Sequence, residues 1–136
     1  TTRMTAASTE TIFITADRDS VCAGDDCESH ERSFVAPLGA LMPELIQLAT
    51  SACPLACIAG GEATWIVEAG GYDGTPIAVM AQQWAAPRWL VPSSSCVESL
   101  FADRKAQLFF KYWCQASPDA VFEALAASKP LPSRYG

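Results

Sequence analysis

A stretch of twelve residues concentrates the side chains of this chain that are best suited to chemistry. Residues 21–32 read VCAGDDCESHER and contain two cysteines, four acids and the only histidine of the sequence. Thiolate, imidazole and carboxylate groups are ligands that zinc accepts in proteins. A zinc site on Cys22, Cys27 and His30, completed by a neighbouring aspartate, is therefore one interpretation of the stretch.

The spacing of the cysteines differs from that of the commonest zinc knuckle. Four residues separate Cys22 from Cys27, in place of the tight C-x2-C arrangement. The second close pair, Cys53 and Cys57, encloses Pro54, and we expect it to lie at the end of a helix. We therefore predict that the protein binds no metal and no other cofactor, and the metal site remains the alternative.

Signatures of catalysis and of nucleotide binding are missing from the sequence. The chain has no phosphate-binding loop, no dinucleotide fingerprint, no G-x-S-x-G elbow and no H-E-x-x-H pair. A cysteine nucleophile requires a nearby base, and His30 is the only imidazole. The glycine pairs 60–61 and 70–71 are isolated and are expected to form turns. We therefore predict that the protein is not an enzyme, with a small catalytic domain using Cys22, Cys27 and His30 as the alternative.

Acidic residues are unevenly distributed along the chain. Residues 1–83 contain 11 acids and 3 arginines, a balance of -8, whereas residues 84–136 contain 4 acids and 6 basic residues, a balance of +2. Six of the 15 acids fall within residues 17–31. An acidic surface repels nucleic acids and anionic membranes and attracts basic protein surfaces. We therefore expect a protein partner with a basic surface, and no nucleic acid or membrane as a partner.

The residues predicted to bind this partner are the acids of the segment together with two tryptophans. An acidic run is often only a solvated loop, but these acids lie between two predicted strands, which would present them on a scaffold. Trp84 and Trp89 are expected to provide exposed aromatic anchors, as is Tyr72; packing in the core is the alternative for the tryptophans. The complete predicted set is Asp17, Asp19, Asp25, Asp26, Glu28, Glu31, Trp84 and Trp89.

Local patterns of β-branched, aromatic and turn-forming residues predict an alternation of strands and helices. Two hairpins are expected, one joining the first two strands and one joining the next two through a glycine turn. The order β-β-α-β-β-(β)-α-β-α indicates an α+β domain in which antiparallel hairpins form a sheet with two or three packed helices. The predicted strands are 11–16, 32–36, 63–68, 76–82 and 106–113, with an edge strand or loop at 84–91. The predicted helices are one of about 14 residues that follows Leu38 and is closed by Cys53-Pro54, a short one capped by Ser95, and one from Ser117 to Ala127.

Length and composition are those of one folded domain. The chain has 136 residues, half of them hydrophobic, which is enough to bury a core. We expect a flexible segment at 1–10, a single domain at 11–130 and a tail at 131–136. No apolar run approaches the roughly 20 residues of a membrane helix, so we expect a cytoplasmic protein with mainly reduced cysteines. Cys22 and Cys27 form the pair most able to bond in an oxidising compartment.

Three sequence segments resemble small bacterial immunity proteins that neutralise contact-dependent growth-inhibition toxins. They are ITADRDSVCAGDDCESHERSF, GGEATWIV and PIAVMAQQW, and the resemblance covers roughly residues 11–84. It implies a cytosolic protein that binds the C-terminal domain of a cognate toxin and covers its active site. Many such toxins are nucleases with basic substrate clefts, which an acidic inhibitor can occupy. An accessory domain that binds another protein or a peptide at an exposed strand edge is a further alternative.

Overall fold

The computed structural model describes residues 10–19, 30–55 and 61–133. Within these ranges the chain forms one domain with a six-stranded mixed sheet and three helices, which confirms the predicted α+β class. The strands are β1 (Thr11–Arg18), β2 (Arg32–Pro37), β3 (Thr64–Ala69), β4 (Thr75–Ala81), β5 (Arg88–Trp89) and β6 (Gln107–Tyr112); the helices are α1 (Met42–Ala52), α2 (Val97–Leu100) and α3 (Pro118–Ala126).

Both predicted hairpins are present in the sheet. Strands β1 and β2 pair antiparallel with Phe13 opposite Val35, and β3 pairs antiparallel with β4. The strand order is β2-β1-β6-β3-β4-β5, so the two hairpins are joined through β6. β6 runs antiparallel to β3 but parallel to β1, with Asp17 opposite Phe109. This parallel pairing was not predicted, because it joins segments far apart in the sequence.

The end of β1 is attached to β6 by the residue that follows the strand. The backbone N–H of Asp19 donates to the carbonyl oxygen of Phe110 at 3.1 Å. The N–H of Tyr112 in turn donates to Oδ2 of Asp19 at 3.0 Å. The backbone N–H and the carboxylate of Asp19 thus both form hydrogen bonds with β6. The Asp19 carboxylate therefore has a structural role in the fold.

The sheet is covered to different extents on its two faces. β3 lies at the centre and all six of its residues are buried, as expected for a strand covered on both sides. One face packs against α1, where Ile14, Leu45 and Phe110 belong to the main core cluster. On the other face, Val121 of α3 packs in a smaller cluster against β3 and β4.

The helices begin and end slightly differently from the predictions. α1 has 11 residues and starts at Met42, with Pro43 in the first turn where its missing N–H costs little. Ser117 caps α3 as predicted, because its hydroxyl accepts the N–H of Ala120 at 3.3 Å. The predicted Ser95 cap is wrong: α2 starts after Cys96, and no side chain caps it.

The predicted C-terminal tail begins inside the packed domain. Leu131 packs against the cluster around α3, and the indole N–H of Trp113 donates to the carbonyl oxygen of Pro132 at 2.8 Å. Of the predicted flexible segment 1–10, only Glu10 lies within the described residues. In the described part of the chain, no helix is long and apolar enough to cross a membrane.

Candidate functional site

Among the described residues, α3 covers only part of the sheet face on which it lies. Residues paired in register on neighbouring strands point to the same side, so side chains of β2, β1 and β6 continue the face that α3 covers at β3 and β4. At the β1–β2 end, Phe13 is 66% exposed and its partner Val35 is 50% exposed. We call this part the open sheet face and define it by Phe13, Thr15, Asp17, Ser33, Val35, Gln107 and Phe109.

Two of the predicted acids meet at a cavity beside the open sheet face. Asp17 of β1 and Glu31, just before β2, line a cavity of about 270 Å³ together with Tyr72. One oxygen of Asp17 accepts the backbone N–H of Arg18 at 2.8 Å. Within the described residues Asp17 has no ion-pair partner, so its negative charge is not neutralised there. The remaining lining residues are Thr15, Gly71, Gln107, Leu108 and Phe109.

The exposed aromatic ring at this cavity belongs to the turn between β3 and β4. Tyr72 is 64% exposed, and its ring stands edge-on to Phe109 with 5.0 Å between the ring centroids. Gly71 has a φ of 105°, and a Cβ at this position would lie 2.6 Å from Oε1 of Gln107. The positive φ favours glycine here, whereas the end of the flexible Gln107 side chain could move to admit a Cβ.

A buried charge cluster supports the same turn. Glu68 of β3 is 4% exposed, and Oε2 of its carboxylate lies 3.1 Å from Nζ of Lys111 on β6. Oε1 accepts the backbone N–H of Asp73 at 2.9 Å, and Lys111 also donates to the Asp73 carboxylate. Lys111 lies 4.7 Å from the centre of the Tyr72 ring. One ammonium group thus contacts two carboxylates and the exposed ring.

The environment shifts the pKa of both members of the buried pair. Burial raises the pKa of the Glu68 carboxyl, although hydrogen bonding and attraction from Lys111 act in the opposite direction. For Lys111, burial lowers the pKa, but the hydrogen bonds to Asp73 and Glu68 outweigh burial and the pKa is raised. We therefore assign the positive charge firmly to Lys111, while Glu68 is the member whose charge is costly to bury.

Of the other predicted partner-binding residues, three lie outside the described part of the chain and two pack against the core. Asp25, Asp26 and Glu28 lie outside the described residues. Trp84 and Trp89 are half-buried and pack against the smaller and the main core cluster, respectively. The two tryptophans therefore pack against the core, as their alternative interpretation had it, and their role in partner binding stays a prediction. The exposed aromatic residues of the described chain near the acids are Phe13 and Tyr72.

Of the residues in the Cys-His alternative, only His30 lies within the described part of the chain. Cys22 and Cys27 lie outside the described residues. Cys53, which lines a second cavity with His30, donates its thiol to the His30 carbonyl oxygen at 3.3 Å. Burial raises the pKa of Cys53, which keeps the thiol protonated and opposes nucleophilic attack. Cys53, Cys96 and Cys114 are free thiols, and no group of three or more potential ligands within residues 10–19, 30–55 and 61–133 is arranged to hold a metal ion.

Sequence reasoning missed Phe13 and the charge cluster as parts of the site. The alternation of Phe13, Thr15 and Asp17 along β1 was the available signal, since residues two apart share a face of a strand. The contacts of Glu68 with Lys111 left no such signal, because they depend on the pairing of β3 with β6.

Comparisons with known proteins add no family to this description. No family model matches the chain. Searches of curated proteins and of solved structures return no significant match either. The geometry and charge of the open sheet face are therefore the basis on which a function can be argued.

Proposed function

We propose that this protein is a non-enzymatic immunity protein that binds a basic surface of a cognate toxin through the open sheet face and thereby covers the toxin's active site. The observation that carries the proposal is the position of Asp17 and Glu31 at one cavity beside exposed Phe13 and Tyr72. Acids and exposed aromatic residues on a rigid sheet are suited to a protein partner of opposite charge.

The exposed apolar residues of the open sheet face, together with Tyr72 beside it, would provide most of the binding energy. Phe13, Val35 and Tyr72 are half or more exposed, and apolar area removed from water contributes roughly 25 cal/mol per Å². Aromatic residues at the centre of an interface commonly dominate its binding energy. Because β1 and β2 are paired along their length, Phe13 and Val35 are held in fixed positions before the partner arrives.

The cavity beside Tyr72 is suited to a basic side chain of the partner. Asp17 and Glu31 both line this cavity, and a carboxylate such as that of Asp17 can accept two parallel hydrogen bonds from one guanidinium group. The ring of Tyr72 can contact the same cation through its face. A lysine or arginine of the toxin would therefore find both charge and ring contacts at this position.

The choice of a toxin as the partner rests on charge and on the resemblance of residues 11–84 to immunity proteins. The net charge of -6 and the acids of residues 17–31 favour a basic cleft such as that of a nuclease. A cytoplasmic location belongs to the same proposal, because a nuclease toxin acts on nucleic acid inside the cell. Catalysis by the immunity protein is not needed for protection.

The proposal predicts a toxin gene beside this gene, and the test is protection by co-expression with the C-terminal domain of that toxin. We expect the wild-type protein to restore growth and to bind the purified toxin domain. Asp17→Asn/Glu31→Gln should slow association and reduce its dependence on salt. The matched control is Glu44→Gln/Glu98→Gln, which makes the same charge change at exposed residues of α1 and α2.

Two outcomes would overturn the proposal. One is the absence of both protection and binding by the wild-type protein. The other is an equal loss of association rate in the site variant and in the control variant, which would show that only net charge matters. Slower association confined to Asp17→Asn/Glu31→Gln would support the open sheet face as the docking surface.

A further inference from the structure

The turn that carries Tyr72 is built from residues that tolerate positive φ angles. Gly70 and Gly71 have positive φ angles, and Asp73 has a φ of 60°, in the left-handed region that side chains rarely adopt. A Cβ at Gly74 would collide with the carbonyl oxygen of Ala69. Glycine adopts positive φ angles freely and aspartate tolerates them, so the sequence permits this turn, and the surrounding contacts fix its orientation.

Those contacts converge on one side chain from a neighbouring strand. Lys111 pairs with Glu68 at the end of β3 and with Asp73 inside the turn, and its Nζ lies 4.7 Å from the Tyr72 ring. The side chain of Lys111 is only 13% exposed, whereas that of Asp73 is 68% exposed. Lys111 therefore ties an exposed loop to the buried centre of the sheet.

We propose that Lys111 is a positioning residue for partner binding, which holds the Gly70–Gly74 turn so that Tyr72 meets the partner in its bound orientation. The inference rests on the proposed function for its partner, but its effect on the turn is a property of the free protein. Holding Tyr72 over Phe109 in advance removes part of the ordering cost of association.

The direction in which Lys111→Met changes partner binding separates a positioning role of Lys111 from an effect of its charge. Lys111→Met removes a positive charge from an acidic face, so electrostatics alone predicts faster association with a basic partner. Positioning predicts the opposite result, weaker binding through faster dissociation, because the turn is released. Lys105→Met is the matched control, since Lys105 is exposed in the loop before β6 and the exchange is chemically identical.

A second variant tests the same idea without leaving Glu68 unpaired in the core. Asp73→Asn removes only the exposed carboxylate, and asparagine tolerates the left-handed backbone at this position. The N–H of residue 73 can still donate to Glu68. This variant should fold normally, so it keeps the test decisive if Lys111→Met does not fold.

The free protein gives the first readout. Hydrogen exchange of the residue 73 amide and the NMR line shape of the Tyr72 ring report the order of the turn. We expect exchange to rise about tenfold or more in Lys111→Met and Asp73→Asn and to stay unchanged in Lys105→Met. Unchanged exchange in both turn variants would overturn the inference without bearing on toxin binding.

A double-mutant cycle with the purified toxin domain gives the second readout. We expect Asp73→Asn to weaken affinity about tenfold in the wild-type background and less than about twofold in a Tyr72→Ala background, because its effect passes through Tyr72. Equal factors in the two backgrounds would overturn the positioning role. Complete absence of binding by the wild-type protein would instead count against the proposed function.

Discussion

The two halves of one sheet face differ in what lies above them. At β3 and β4 the face is covered by α3, and Ile66, Val79 and Val121 form a buried cluster. At β1 and β2 the same face bears Phe13 and Val35, which are largely exposed. All of these residue types are typical of strands or cores. The difference shows that strand alternation decides which residues share a face, whereas the position of a helix decides which of them are buried.

The largest expected effect is a loss of stability caused by a substitution on the covered half. Ile66→Ala should lower the free energy of unfolding by about 2 to 5 kcal/mol, because it opens a cavity beneath α3. Val35→Ala, on the open half, should change it by about 0.5 kcal/mol or less. Urea denaturation of both variants measures the difference. Similar losses for the two would mean that the open half is covered in solution.

For affinity to the toxin domain, we expect substitutions on the open half to have the larger effect. Phe13→Ala or Tyr72→Ala should weaken affinity by about 2 kcal/mol or more, as is found for central aromatic residues of interfaces. Leu41→Ala is the control, since Leu41 is 46% exposed but lies at the start of α1. Calorimetric titration gives the affinities. A loss for Leu41→Ala equal to that for Phe13→Ala would contradict the assignment of the interface.

Smaller effects are expected at two nearby acids, Asp17 and Asp19, which have different roles. Asp19→Ala should cost about 1 to 3 kcal/mol of stability, because it leaves the Tyr112 N–H without its acceptor. Asp17→Asn should leave stability nearly unchanged and should lower the rate of toxin association a few-fold. Thermal unfolding and stopped-flow kinetics separate the two roles. The assignment fails if Asp17→Asn is the more destabilising substitution.

The smallest expected effect is a pH dependence of stability that arises from Glu68, at the boundary between the two halves. Because the pKa of Glu68 is raised in the folded protein, its contribution is most favourable at pH values below its unfolded pKa. That contribution decreases as the pH rises through the folded pKa. We therefore expect the stability of wild type relative to Glu68→Gln to fall over the interval that begins near pH 4.5, the ordinary pKa of the group, as the pH rises. A relative stability that rises over this interval would show that Lys111 outweighs burial.

The hairpins and helices could be predicted from the sequence because their signals are local. The β-branched residues of β1, the glycine turn between β3 and β4, and the Ser117-Pro118 start of α3 act through neighbouring residues. The exposure of Trp84 and Trp89 could not be predicted in this way. Their burial depends on which core cluster lies beside them, and that is a property of the whole domain.

The sequence by itself determined the residues that share each strand face, the turn at the paired glycines and the concentration of acids near β1. Tertiary structure alone decided that Asp17 and Glu31 meet Tyr72 and Gln107 at one cavity. The contact that makes this possible is the parallel pairing of β1 with β6, in which Asp19 and Tyr112 bond across 93 residues. Closing so long a loop costs conformational entropy, which only the packing of the complete sheet offsets.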